Sequence, residues 1–394
     1  MNTPHPGSAR IRLPLAGGQF ADYRLSEPRH FPLRSVLPFS RVAYAAAHVV
    51  ADPLAEANPW QDCAIDWQAT IEYRRSLWQL GLGVAEAMDT AQRGMGMDWP
   101  TSLELIRRSL DAAKDIPGAL LASGAGTDQL LPADARSVDD VIRAYEEQVG
   151  AIENLGGRIV LMASRALARV ATSPDDYHRV YDRILLQVRE PVIIHWLGEM
   201  FDPALAGYWG YPDHKQAMEV CLDICNRNAA KVDGVKVSLL DKDKEIAMRG
   251  RLAPGVRMYT GDDFNYAELI AGDGQGHSDA LLGIFDAIAP AAAAALAALA
   301  TGDRKTFDEI LAPTVPLSRH IFAAPTRFYK TGVVFMAYLT GRQSHFTMVG
   351  GEQGARSLQH LSELFRLADR AGLLSDPDLA CARMSAVLAV HGVL

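Results

Sequence analysis

The chain is poor in cysteine: four in 394 residues, at positions 63, 221, 225 and 381. That excludes a disulfide scaffold and points to a reducing compartment. Cys221 and Cys225 share a helix face in AMEVCLDICNRN. Two thiols without nearby His or Cys partners do not make a zinc site, so they read as buried free cysteines. No apolar run reaches the length of a membrane span. The tract PAAAAALAALATGD (290–303) is too short and too alanine-rich for one, and reads as a helix begun by Pro290 and closed by Gly302. The start, MNTPHPGSARIRLPLAGGQF, has no apolar core of a secretory signal. No basic run and no basic–aromatic interleaving occurs, and the net charge is −8, which argues against nucleic acid as a partner. These absences describe a cytoplasmic protein that neither crosses a membrane nor binds nucleic acid. A glycine-rich phosphate loop is also missing after the first strand, AYAAAHVVADP, which argues against a doubly wound nucleotide-binding sheet.

What is present is a rhythm. At 49% hydrophobic residues the chain can bury a large core. Short apolar strands alternate with amphipathic helices eight times. The strands read as 42–52, 83–90, 118–128, 158–164, 190–198, 232–241, 256–263 and 278–289. Parallel strands joined by helical crossovers, eight in number, specify an α/β fold, a (β/α)8 TIM barrel. The barrel is expected over residues 39–303. A Pro/Gly-rich arm, with the alternating piece ARIRLPL (9–15) as a hairpin, precedes it over 1–38, and a helical extension follows over 304–394.

Active sites of such barrels gather at the C-terminal strand ends. The polar residues expected there are His48 and Asp52, Glu86, Asp89 and Thr90, Asp128, Ser164 and Arg165, His195 and Glu199, Lys236, then Asp262 and Asp263. Lys236 stands out. It interrupts the apolar strand VDGVKVSLLD (232–241), with Asp233 and Gly234 read as a preceding turn. A lysine is rarely buried without a partner or a task. Desolvation lowers an amine's pKa and makes it a nucleophile toward a ketone or aldehyde. The bland alternative is a buried ion pair. His195, one strand away, is a candidate proton shuttle. His48 in its apolar strand reads as a core histidine or a site residue, and Asp262 and Asp263 as helix caps or site residues. The aromatic run GYWGYPDH (207–214) reads as a packed lid, an oligomer contact or a sugar-stacking surface.

Five segments occur in order: GVKVSLLDKD (234–243), RMYTGDDF (257–264), SDALLGIFDAIAP (278–290), LATGDRKTFDEIL (299–311) and KTGVVFMAYLTG (330–341). On these the chain resembles the dihydrodipicolinate synthase/N-acetylneuraminate lyase family of class I aldolases over about residues 40–342. More narrowly, it resembles a divergent branch catalogued as a domain of unknown function. The resemblance implies a lyase with Lys236 as its Schiff-base lysine, a small keto acid or sugar-derived carbonyl substrate, no cofactor or metal, and a homodimer or homotetramer. The departures are as informative. The family's G-T-T-G-E at strand two is MDTAQRG (88–94) here, leaving Asp89, Thr90 and Arg93 as substrate-binding candidates with His48 and Asp262. His195 stands where the family has a tyrosine, and the tyrosine pair after strand four is missing from MASRALA (162–168). The lysine machinery is retained while the grip on a pyruvate carboxylate is not.

Two rival readings remain. His48, Glu86, Asp89 and His195 have donor types suited to a divalent ion in a metal-dependent isomerase or hydrolase, although no H-x-H pair occurs. A barrel that has lost catalysis and serves as a ligand-binding protein is the other.

Overall fold

The computed structural model describes residues 9–31 and 38–393. Eight parallel strands close a barrel in sequence order: β1 Ala43–Ala46, β2 Gly83–Glu86, β3 Leu121–Ala125, β4 Arg158–Leu161, β5 Val192–Leu197, β6 Val232–Ser238, β7 Arg257–Thr260 and β8 Asp279–Leu282, with β8 pairing back onto β1. Crossover helices α1 Trp67–Gln79, α2 Trp99–Ala113, α3 Val138–Asn154, α4 Pro174–Gln187, α5 His214–Arg227, α6 Lys242–Arg249, α7 Tyr266–Ala271 and α8 Ala289–Ala300 surround it. Their starts follow from capping. Asp66, Asp98, Ser137, Asp213 and Asp241 each accept a hydrogen bond from a first-turn amide that the helix leaves unpaired. The eight-fold rhythm of the sequence is therefore the barrel itself.

Alternation along the strands sorts the side chains. Val235 and Val237 of β6, and Ile194 and Trp196 of β5, join the apolar layer under the helices. Ile193 points inward with Tyr44, Ala85, Val160, Tyr259 and Leu281. By the same period of two, His195 and Lys236 point into the barrel, where a polar group needs a reason to be. Tyr44 and Tyr259 fill the lower barrel with ring centroids 6.2 Å apart, and the Tyr259 hydroxyl donates to Asp233 at 2.6 Å.

One local reading changes. Asp233 and Gly234 are not a turn but lie inside β6, where the pairing with β5 shifts register. Gly234 is needed there because an added Cβ would stand 2.6 Å from the Arg257 carbonyl and 2.7 Å from the Tyr259 ring. The run 207–214 is packed at its centre, as one of its readings had it. Tyr208 and Trp209 are fully packed among Tyr177, Tyr181 and Trp196.

Residues Arg10–Pro14 and Phe20–Arg24 form an antiparallel hairpin. Five C-terminal helices follow the barrel, α9 Arg304–Leu311, α10 Val315–Ile321, α11 Tyr329–Leu339, α12 Leu358–Arg370 and α13 Pro377–Val390, and the hairpin lies against α12 and α13. Tyr23 donates to Asp369 at 2.7 Å and Arg366 to the Pro14 carbonyl at 2.9 Å. Residues 1–8 and 32–37 of the expected arm lie outside the described residues. No helix among the described residues is long and apolar enough to cross a membrane.

Candidate active site

The sixth strand builds the centre of the site. Lys236 pairs in register with His195 on β5 and with Tyr259 on β7. It is 5% exposed, and among the described residues nothing hydrogen-bonds or ion-pairs with its Nζ. Burial drives its pKa below the ordinary lysine value, against the opposing pull of Asp89 and Asp263. Gly261, just past β7, makes room for this side chain. A Cβ there would come within 2.8 Å of Lys236 Cε and 2.2 Å of Ser238 Oγ.

His195 Nε2 lies 3.2 Å from Ser238 Oγ. Burial first, and Lys236 second, hold its pKa well below the usual imidazole value, so it is neutral near pH 7. Asp89 is partly buried at the end of β2, and its Oδ2 accepts the Tyr329 hydroxyl at 2.7 Å. Burial raises its pKa, but Lys330, Lys236, His195 and the Tyr329 hydroxyl outweigh that and keep it ionised. Thr90 Oγ1 lies 2.6 Å from the same tyrosine oxygen. Asp263 is buried, accepts the Ile284 amide at 2.9 Å and is pushed up to about 8 by burial, so it holds a proton at neutral pH. A cleft of about 670 Å³ opens above, floored by Asp89 and His195 and walled by Met97, Trp99, Asp128 and Arg165.

Of the residues singled out in the sequence, Lys236, His195 and Asp89 are brought together, with Thr90 linked to Asp89 through the Tyr329 hydroxyl. Arg93 lines the cleft but is fully engaged: Nε and Nη2 donate to Asp128 at 3.1 and 2.7 Å, Nη2 also to Gln148, and Nη1 to the Ala87 and Gly124 carbonyls. Its five N–H donors are all used. His48 sits elsewhere, with Nδ1 2.8 Å from Asp286 and Nε2 2.9 Å from Gln343. Asp262 caps its own loop, accepting the Phe264 and Asn265 amides at 2.8 and 3.0 Å. Asp263, not Asp262, is the carboxyl that acts on Lys236. The four metal-ligand candidates do not converge. His48 is bonded as described, and Glu86 is gripped by Arg74 through two 2.9 Å bonds. No group of three His, Cys, Asp or Glu among the described residues is arranged to hold a metal ion.

Tyr329 and Lys330 were missed. Both are buried at the start of α11, beyond the barrel, and Lys330 Nζ donates to the Arg327 carbonyl at 2.9 Å. The only signal available was the segment KTGVVFMAYLTG, whose first residue is Lys330.

The family described as "Protein of unknown function (DUF993)" matches residues 11–393. The chain belongs to this family. No curated protein matches it. Solved structures place the DUF993 fold beside the dihydrodipicolinate synthases. One, a prophage protein of the dihydrodipicolinic acid synthase family from E. coli in complex with pyruvate, has a TM-score of 0.64 at 13% identity, covering 85% of this chain and 99% of that one. The dihydrodipicolinate synthase from Acinetobacter baumannii, complexed with pyruvate, scores 0.61 at 15% identity over 84% and 99%. That from Aquifex aeolicus scores 0.62 at 11% identity over 84% and 98%. At such identities the likeness is one of fold, the DUF993 chain being a divergent dihydrodipicolinate-synthase-like barrel.

Proposed function

We propose that the protein is a Schiff-base-forming lyase of the class I aldolase type. The observation that carries this is the Lys236 amine, buried, driven toward its neutral form, and without a hydrogen-bond or ion-pair partner among the described residues. A neutral amine in such a place is a nucleophile. Its nitrogen adds to a ketone or aldehyde carbon, the carbinolamine loses water, and the resulting iminium draws electrons from the adjacent carbon–carbon or carbon–hydrogen bond. Two kinds of group are at hand for the protons. Asp263 carries one at neutral pH, and Asp89 with the Tyr329 hydroxyl forms an ionised acceptor. His195, being neutral, orients by hydrogen bonding rather than by charge. Arg93 acts on the substrate only through the wall it braces. The same reading carries a small carbonyl compound as substrate, a cytoplasmic location and assembly into a homodimer or homotetramer. The test is reduction with borohydride in the presence of a panel of ketones and aldehydes, followed by peptide mass mapping. The expected result is a covalent adduct on Lys236 that is absent from Lys236→Met. An unmodified Lys236 across the panel overturns the proposal.

A further inference from the structure

The cleft says something about the substrate that the lysine does not. The end of β2 turns sharply, with Ala87 at φ 52 and Gln92 at φ 62, and this turn presents Asp89 at the cleft floor beside His195. One carboxylate oxygen is held by Tyr329 at 2.7 Å, and among the described residues nothing donates to Oδ1. Asp89 and His195 line one cleft, His195 is the neighbour of Lys236 in register, and the carboxylate acts electrostatically on both, so it faces the space that a carbonyl bonded to Lys236 would enter. A substrate carboxylate next to that carbonyl would face a fixed negative charge in a poorly screened site. The nearby cations have few N–H donors left for such a carboxylate. Arg93 has no free N–H, and Lys330, whose charge already acts on Asp89, gives two of its three N–H to the Arg327 carbonyl at 2.9 Å and to Met95 Sδ at 3.3 Å. Arg165, paired with Asp202, keeps open nitrogens only at the exposed rim. An open carboxylate oxygen accepts a hydroxyl well.

We infer that Asp89 selects the substrate, and that the site takes an uncharged carbonyl compound bearing a hydroxyl on the adjacent carbon, in preference to a 2-oxo acid. This rests on Lys236 forming a Schiff base. Asp89 Oδ1 accepts the neighbouring hydroxyl and repels a carboxylate in the same place.

The experiment compares borohydride trapping of the full chain by dihydroxyacetone and by pyruvate at equal concentration. Each rate is divided by that of the same compound with a free alkylamine, and the adduct is located by mass mapping. The normalised rate at Lys236 is expected to favour dihydroxyacetone by at least tenfold. Asp89→Asn, and Asp89→Ser as a second variant, are expected to shrink that preference at least tenfold. Faster trapping of pyruvate at Lys236 overturns this inference and leaves the Schiff base standing. An unchanged preference in both folded variants also overturns it. Absence of any adduct at Lys236 removes both.

Discussion

Two buried histidines, His48 on the loop after β1 and His195 on β5, stand in networks of opposite character. Around His48 the polar groups answer one another. Both ring nitrogens are bonded, Asp286 takes the His48 ring and amide as well as the Tyr73 hydroxyl, and Arg342 lies 4.2 Å over the Tyr73 ring. Behind it Arg74 and Glu86 form a bidentate pair that Ser109 completes at 2.6 Å. Around His195 the groups influence one another without being closed. Among the described residues Lys236 has no bonded partner and one oxygen of Asp89 is open to the cleft, and Asp263 is a neutral acid. Buried polar groups that are satisfied give stability and a unique packing; those left open cost stability and are retained for chemistry.

The sharpest way to break this contrast is to remove the central group of the open network. Lys236→Met should abolish carbonyl trapping, while its stability to urea stays level or rises by about 1–3 kcal/mol because a buried amine is replaced by an apolar chain. A large loss of stability would place Lys236 with the closed network. Next, His48→Ala empties a buried ring site and takes one bond from Asp286, which keeps the residue-48 amide and the Tyr73 hydroxyl, and should cost about 3–5 kcal/mol. Its trapping rate at Lys236, measured where it is still folded, should stay within twofold of the parent.

Glu245 offers an intermediate case, since Ser278 donates to Oε1 at 2.7 Å and Oε2 has no hydrogen-bond partner among the described residues. Burial raises its pKa from 4.5 to about 8. A raised folded-state value means this stability is present below pH 4.5 and is lost as pH climbs toward 8. Glu245→Gln should therefore gain on the parent across that window, by roughly 4 kcal/mol at the top. Melting curves of the two proteins at pH 5 and pH 8 check it, and a constant offset would refute it. Smallest in stability is Gly261→Ala, expected to cost about 1–2 kcal/mol by overpacking. It should nonetheless slow trapping about tenfold, because the new methyl group meets Lys236 Cε. A stability loss with normal trapping would mean that the glycine serves only packing.

The barrel was legible because the local signals agreed: strand period, helix caps and short connections repeated eight times. Lys236 was legible because a lone lysine in an apolar strand breaks the pattern. What could not be read was pairing. His48 and His195 both follow apolar runs, and only the fold shows that one meets Asp286 and Gln343, from the segments after β8 and α11. Arg93 looked free because Asp128, Gln148 and two carbonyls converge on it only in three dimensions. Asp262 and Asp263 are neighbours facing different ways, one capping a loop and one toward Lys236. Tyr329 and Lys330 lie some 90 residues beyond the lysine strand, where no strand-end rule reaches.

The proposal is that Lys236, unpaired among the described residues, is an amine made nucleophilic by burial. It is tested most directly by the pH dependence of borohydride trapping at that residue, with an excess of a small aldehyde and the adduct mapped by mass. The account predicts a half-maximal rate below the ordinary lysine value of 10.5 and no label in Lys236→Met. A midpoint at or above 10.5, or label confined to exposed lysines such as Lys305, would contradict it.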